Sequence, residues 1–411
     1  MQQIRGSFPI LGRKAGGRPL VYFDNAATSQ RPESVLDLQQ QLCSGHNANI
    51  HRAVHTLSYE ATEAYEAGRK AAQAFIGAAQ PEEIVLTAGA TAAINLVADC
   101  MARGGFLSGG AILLTEAEHH SNIVPWQMAC EKSGARLEVV PVAAGRDFPN
   151  TGAVDMEAYR AALRRGVKMV AITHVSNILG VVNPVKEMVA EAHALGIPVL
   201  VDGAQGIVHR RVDVQDMDCD FYVFSGHKIY APTGIGVLYG KRQWLEKLPP
   251  YMGGGDMVDK VTFEKTTYAD LPLKFEAGTA NFVAAACLAP ALDLATSLAL
   301  SPDAREHERA LMAAMAESLQ SIPGLWLAAA DATDRIPLYS FTIEGVHPLD
   351  AAMLMDKMGV ALRSGHMCAE PIVDRIGGGS MLRASLMAYN TLEEVEAFRA
   401  ALERTVKMLK Q

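Results

Sequence analysis

The sequence is poor in the features that mark non-globular and secreted proteins. No repeat or low-complexity tract stands out in its 411 positions, which argues against solenoid and biased-composition architectures. There is no long block of like charge, and the net charge is −8. No basic surface is therefore expected to attract nucleic acid or an anionic membrane. No apolar run is read as reaching the roughly 18 residues that a membrane span needs. The N-terminus, Met1-Gln2-Gln3-Ile4-Arg5-Gly6-Ser7, lacks the apolar core of a secretory signal. Six cysteines (Cys43, Cys100, Cys130, Cys219, Cys287 and Cys368) are scattered, with no CxxC and no metal-finger spacing. They read as reduced thiols. A cytoplasmic protein with no bound metal is expected.

What is present is ordinary for a globular enzyme. Hydrophobic residues account for 49% and charged residues for 20%, and the length suits two or three domains. From about residue 84 to 240, short Val/Ile-rich runs alternate with Ala-rich amphipathic stretches. Ile84–Thr87, Ile112–Thr115, Met169–Thr173, Pro198–Val201, Phe221–Phe224 and Gly236–Tyr239 read as strands. Such alternation implies an α/β fold with a mostly parallel sheet covered on both faces. Polar residues gather where these strands end: Glu118-His119-His120, His174 to Asn177, Asp202 to Gln205, and Ser225 to Lys228. Sites in open α/β sheets form at those carboxyl ends. After about residue 290 the pattern changes to a long helix, strands at Leu338–Ile343 and Met381–Ser385, and a final helix. The expected division is a large cofactor-binding domain over 21–290 and a small α+β domain from 1–20 and 291–411.

Lys228 can form an imine with an aldehyde cofactor, and Asp202 ends a neighbouring strand as a carboxylate suited to a pyridine nitrogen. Ser225, His227 and the Ala88-Gly89-Ala90-Thr91 turn can donate to a phosphate. Each has a plainer reading: a solvated lysine, an aspartate cap, a threonine cap. His119 beside His120 could be a loop pair or a metal pair, but adjacent histidines point apart and no third ligand has matching spacing. His51 and His55 suit a loop or solvent, and Trp126 the core.

The runs Val201-Asp202-Gly203-Ala204-Gln205-Gly206, Ser225-Gly226-His227-Lys228 and Arg363-Ser364-Gly365-His366-Met367-Cys368-Ala369 resemble the class V aminotransferase family. Within it they are similar to cysteine desulfurases of the second group, which supply sulfur for iron–sulfur cluster assembly, a set that includes bacterial-type selenocysteine lyases. The resemblance runs from Tyr22-Phe23-Asp24-Asn25-Ala26-Ala27 to Leu382-Arg383-Ala384-Ser385. It implies a fold-type-I pyridoxal 5'-phosphate (PLP) enzyme with a seven-stranded sheet, acting as a homodimer with a shared active site. Lys228 then matches the Schiff-base lysine, Asp202 the partner of the ring nitrogen, and Gln205 the donor to the phenolic oxygen. His119 matches the imidazole stacked on the ring. Ala90, Thr91, Ser225 and His227 match the phosphate cradle, and Thr279 a phosphate ligand contributed to the other subunit. Asn177 and Arg383 match the grip on the substrate carboxylate, with Ala26 beside it. Cys368 matches the thiol that takes the sulfur of L-cysteine as a persulfide, for transfer to a sulfur-acceptor protein.

The chain departs from the family pattern at Ala88, Ala90 and Ala92, where Arg-Gly-Thr-Thr-Glu is usual, and at Met367, where His or Gln is common. Arg363 and His366 are nearby groups able to favour a thiolate. The alternative in the same cofactor class is a selenocysteine lyase or a cysteine sulfinate desulfinase-type lyase acting on C–S or C–Se bonds, with L-selenocysteine a possible substrate. A third reading, from another class, is a non-catalytic sulfur carrier that kept the fold.

Overall fold

The computed structural model describes residues 2–146 and 150–410. A seven-stranded sheet forms its centre: β1 (Ile84–Thr87), β2 (Ala111–Thr115), β3 (Arg136–Val140), β4 (Val167–Thr173), β5 (Val199–Asp202), β6 (Phe221–Ser225) and β7 (Gly236–Gly240). Their order across the sheet is β1-β7-β6-β5-β4-β2-β3. Only β7 runs against its neighbours, so the expectation of a mostly parallel seven-stranded sheet holds. β2 and β6 are buried at every position, because helices cover both faces. The period of two decides which face each residue serves. On β4, Met169 and Ala171 enter one core and Val170 and Ile172 the other.

A second sheet is antiparallel, with β8 (Leu325–Leu327), β9 (Leu338–Ile343), β10 (Arg363–Gly365) and β11 (Met381–Ser385) in the order β8-β9-β11-β10. Phe341, Leu382 and Phe398 lie in its own core. The N-terminal segment serves both units. Phe8 packs on Tyr230 and Tyr389 in the large core. Val21–Tyr22 pairs with Val360–Ala361, and Phe23 lies in the small core. The expected boundary at residue 21 thus falls inside a strand pairing, held by Val21 N–H to the Gly359 carbonyl (2.9 Å) and Phe23 N–H to the Ala361 carbonyl (2.8 Å).

Five helices matter for the site and its support: α1 (Thr56–Ile76), α2 (Ala90–Arg103), α3 (Phe282–Ala286), α4 (Leu288–Leu300) and α5 (Glu370–Gly377). One expectation is corrected here. The stretch Phe282–Leu300, comprising α3 and α4, is long and apolar enough by length and composition to cross a membrane. Asp293, Thr296 and Ser297 interrupt its apolar run, so the stretch is not continuously apolar. In the fold half of it is buried, and α3 and α4 both pack against α1. The contact is very close at Gly68. A Cβ there would lie 2.0 Å from the Ala285 carbonyl oxygen. Below this crossing, Arg69 is buried and bonds Glu276 (2.6 and 2.8 Å), Glu66 and the Ile84 carbonyl. Burial of the guanidinium is compensated because nearly every donor has a partner.

Gly68→Ala forces the two helices apart and should cost about 1–3 kcal/mol through overpacking. A lower urea midpoint with an unchanged slope is expected; an unchanged midpoint would mean that the crossing relaxes freely.

Candidate active site

A cavity of about 250 Å³ opens at the carboxyl ends of β4, β5 and β6. The strand ends supply Asp202, Ser225 and, one step beyond, Lys228. The first turn of α2 supplies Ala90 and Thr91, and the turn after β2 supplies His119. Ala26, Asn177 and Gln205 complete the walls, with His227 beside Lys228. Arg383 on β11 and Cys368 on the loop between β10 and α5 close the space. Twelve of the thirteen expected site residues therefore face one cavity. Thr279 does not: it is exposed and lies outside the lining.

Lys228 follows β6 on a tight three-residue turn, Gly226–Lys228. Its Nζ has no hydrogen-bond or ion-pair partner among the described residues. Burial pushes its pKa down to about 8; Arg383 adds to this, while Asp202 and Cys368 oppose it. Asp202 is 4% exposed and accepts the Ala204 N–H at 3.0 Å. Burial raises its pKa, against the pull of Lys228. His119 is driven down to about 3, by burial first and then by Lys228. Its Nδ1 accepts the Ser121 N–H at 3.0 Å, which leaves the proton of the neutral ring on Nε2. Beneath it, the fully buried Glu118 accepts from Thr115 (2.6 Å), Asn122 (2.7 Å) and the Thr173 N–H (3.0 Å). Burial lifts Glu118 to about 7 despite these bonds.

The corner at the start of α2 is built for an anion. Ser225 Oγ accepts the Ala90 N–H at 2.8 Å, which leaves its own O–H free to donate. Gly89 has φ +149°, and a Cβ there would approach Ser225 Oγ at 3.4 Å and begin to fill the corner. Thr91 Oγ1 lies 2.7 Å from Ser121 Oγ, a second hydroxyl on the same wall. The His227 carbonyl accepts from the Ser29 N–H and from the Thr28 and Ser29 hydroxyls, which fixes the turn. Burial holds the His227 ring down near 4, helped by Lys228 and Arg31. An amine without a partner, a desolvated carboxylate and this hydroxyl-and-amide corner fit a phosphorylated aldehyde cofactor. Lys228, Asp202, His119, Gln205, Ala90, Thr91, Ser225 and His227 are the groups placed to hold it.

Arg383 is 3% exposed. It donates from Nη1 to the Asn177 carbonyl (3.0 Å) and from Nη2 to Asp24 (3.3 Å), while Nε is left without a partner. Asn177 spends one amide N–H on the Met367 carbonyl at 2.8 Å, and Gln205 spends one on the Ala26 carbonyl at 2.8 Å. Each amide keeps a second N–H. Met367 and Cys368 both have positive φ (+48° and +56°), a conformation that costs about 1–3 kcal/mol per non-glycine residue. Met367 is buried in the large core, whereas the Cys368 thiol is exposed. The departure from His or Gln at position 367 thus places an apolar side chain in an apolar slot.

Several contributors were not legible beforehand. Ser121 meets Thr91, Asp24 meets Arg383 and Glu118 meets the Thr173 N–H across segments distant in sequence, while Asn122 bonds its near neighbours Glu118 and Trp126 and so supports Glu118 from the side. Arg363 lines the cavity and lies 3.5 Å from Asp24, whereas His366 turns toward Glu370 and Asp374. His55 caps α1, His51 lies against Glu66, and Gly253–Gly255 stays outside the cavity. No metal-binding cluster occurs among the described residues.

The fold and this cavity define a PLP-dependent enzyme of fold type I. The chain belongs to the Aminotransferase class-V family, whose model matches residues 21–398. It is 43% identical over 410 residues to the cysteine desulfurase of Pectobacterium carotovorum, an alignment covering 100% of this chain and 98% of that protein. Among solved structures it is similar to the cysteine desulfurase CsdA of Escherichia coli in its S-sulfonic acid form (TM-score 0.87, 36% identity, 99% and 98% of the two chains). It is also similar to the apo cysteine desulfurase of Thermococcus onnurineus (TM-score 0.90, 34% identity, 99% and 98%). The protein acts as a cysteine desulfurase, with L-cysteine as substrate and PLP as cofactor.

Because burial favours the neutral amine, Lys228 is protonated below pH 8 and nucleophilic above it. Capture of PLP by the cofactor-free protein should accelerate as pH rises through about 8 and then level off, read by absorbance. Lys228→Ala should show no capture. A midpoint near the ordinary lysine value of about 10.4 would contradict the effect of burial.

Proposed function

We propose that the sulfur leaves L-cysteine as a persulfide on Cys368, with the named cavity residues in the following roles. The single observation that carries this reading is that Cys368 and Lys228 line one cavity although the first sits on the loop after β10 of the second sheet and the second on the turn after β6 of the first. PLP, when bound, supplies an electron-withdrawing ring that stabilises negative charge developing at the substrate Cα. Arg383 grips the substrate carboxylate, with Asn177 beside it. Lys228, with a pKa of about 8, takes the Cα proton and can return it. Asp202, a buried carboxylate, would favour the protonated ring nitrogen, and His119 would lie over the ring as a neutral imidazole. The Cys368 sulfur then attacks the substrate sulfur: an S–S bond forms and the Cβ–S bond breaks. The electron pair of that bond stays on carbon and is protonated to give L-alanine, and one hydrogen remains on the persulfide.

The finer parts of the reading follow. A homodimer is favoured by two exposed apolar side chains, Val54 and Phe263, on segments joined by the Arg52–Asp256 ion pair. It is also favoured by the exposed Thr279, which is free to complete a partner's phosphate corner. The persulfide passes to a sulfur-acceptor protein for iron–sulfur cluster assembly or related sulfur mobilisation. A cytoplasmic location suits this role, since a reducing milieu keeps the exposed Cys368 as a thiol.

Cys368→Ala should lower sulfur release from L-cysteine by at least about a hundredfold while sparing most of any activity on L-selenocysteine. Equal retention of both activities would refute the persulfide, and mass spectrometry should find one added sulfur on wild-type Cys368 only. Phe263→Asp should shift the sedimenting species from dimer to monomer and weaken retention of PLP. A variant that stays dimeric removes Phe263 from the interface.

A further inference from the structure

His119 and His120 are neighbours in sequence but serve different structures. His119 faces the cavity, whereas His120 faces the loop that carries Cys368. The His120 backbone N–H donates to the Cys368 carbonyl at 2.7 Å. Its ring Nε2 accepts the Glu370 N–H at 2.9 Å. One residue from the turn after β2 thus holds the backbone on both sides of Ala369. Glu370 is the first residue of α5, and its N-cap, Ala369, has no side chain that can cap. His120 therefore supplies the missing cap from another element. The bonded loop is also the one with two successive non-glycine residues at positive φ. Asn177 adds a bond to the Met367 carbonyl, and Met367 and Ala369 are buried in the large core on either side of the thiol.

We propose that His120 is a positioning residue that latches the Cys368 loop over the cavity, and that its ring bond to Glu370 opens when the sulfur is carried outward. The inference rests on Cys368 being the sulfur acceptor. While latched, the thiol is held beside the substrate sulfur; once released, α5 loses its cap and the strained pair Met367–Cys368 can relax. The ring must act as an acceptor, so its neutral form carries the proton on Nδ1.

The test compares wild type, His120→Ala and His120→Asn as holoenzymes; the Asn carbonyl restores an acceptor of shorter reach. Three measurements are made: amide exchange at Glu370, iodoacetamide labelling of Cys368, and single-turnover persulfide formation. Loss of one neutral hydrogen bond should speed Glu370 exchange and Cys368 labelling by about 3- to 10-fold in His120→Ala. Persulfide formation should slow by a similar factor, with the cofactor absorbance and the KM for L-cysteine unchanged. His120→Asn should recover a substantial part of each effect. Unchanged exchange at Glu370, or faster exchange with persulfide formation unaltered, would overturn the latch. A changed cofactor spectrum in His120→Ala would also overturn it, because the effect would then run through His119. If the wild type itself carries no sulfur on Cys368, the acceptor assignment fails instead, and the exchange data still report on the latch.

Discussion

The site depends on keeping an amine and a carboxylate in a poorly solvated space without letting them neutralise each other by direct contact. Asp202 ends β5 and Lys228 sits on the short turn just past the adjacent parallel strand β6, so the sheet and that turn together set their separation. Burial depresses the lysine and raises the aspartate, and each partly opposes the shift of the other. Had Lys228 been solvated it would remain a cation at neutral pH. Had it paired directly with Asp202, the amine would be held protonated and unavailable. The cavity avoids both outcomes, and the neutral His119 beside it adds no further positive charge.

The other half of the chemistry is carried by a different sheet, and the join between the two is polar. Arg383 reaches across from β11 to the Asn177 carbonyl and to Asp24. Asn177 and His120 reach from the turns of the large sheet to the backbone around Cys368. Hydrogen bonds of this kind are directional but individually modest, so they can place a loop accurately and still release it. The buried Met367 and Ala369 anchor the loop on either side, while the thiol between them remains open. This arrangement suits the proposed role of Cys368, which would meet substrate inside the cavity and an acceptor outside it.

The large sheet was largely legible in the sequence. Each of the six strands read from apolar runs is present, with ends shifted by a residue or so, and the polar clusters do fall at their carboxyl ends. Arg136–Val140 escaped because two of its five positions are exposed at the sheet edge and its pattern is weak. The Phe282–Leu300 stretch was misjudged because Asp293 interrupts its apolar character, although the close approach at Gly68 makes it a core element. The segment around residue 21 could not be assigned to one unit by pattern, since two-residue strands carry too little periodicity to show their partner.

The sequence by itself determined the kinds of chemistry available and the places where strands stop, because periodicity and turn residues act between near neighbours. It put Lys228 and Asp202 at strand ends and Cys368 on a short glycine-containing loop. Only the tertiary structure decided that these groups share one cavity, that burial brings the lysine to about 8, and that His120 bonds both sides of the cysteine loop. Those features depend on solvent exclusion and on contacts between segments hundreds of residues apart, which no local pattern encodes.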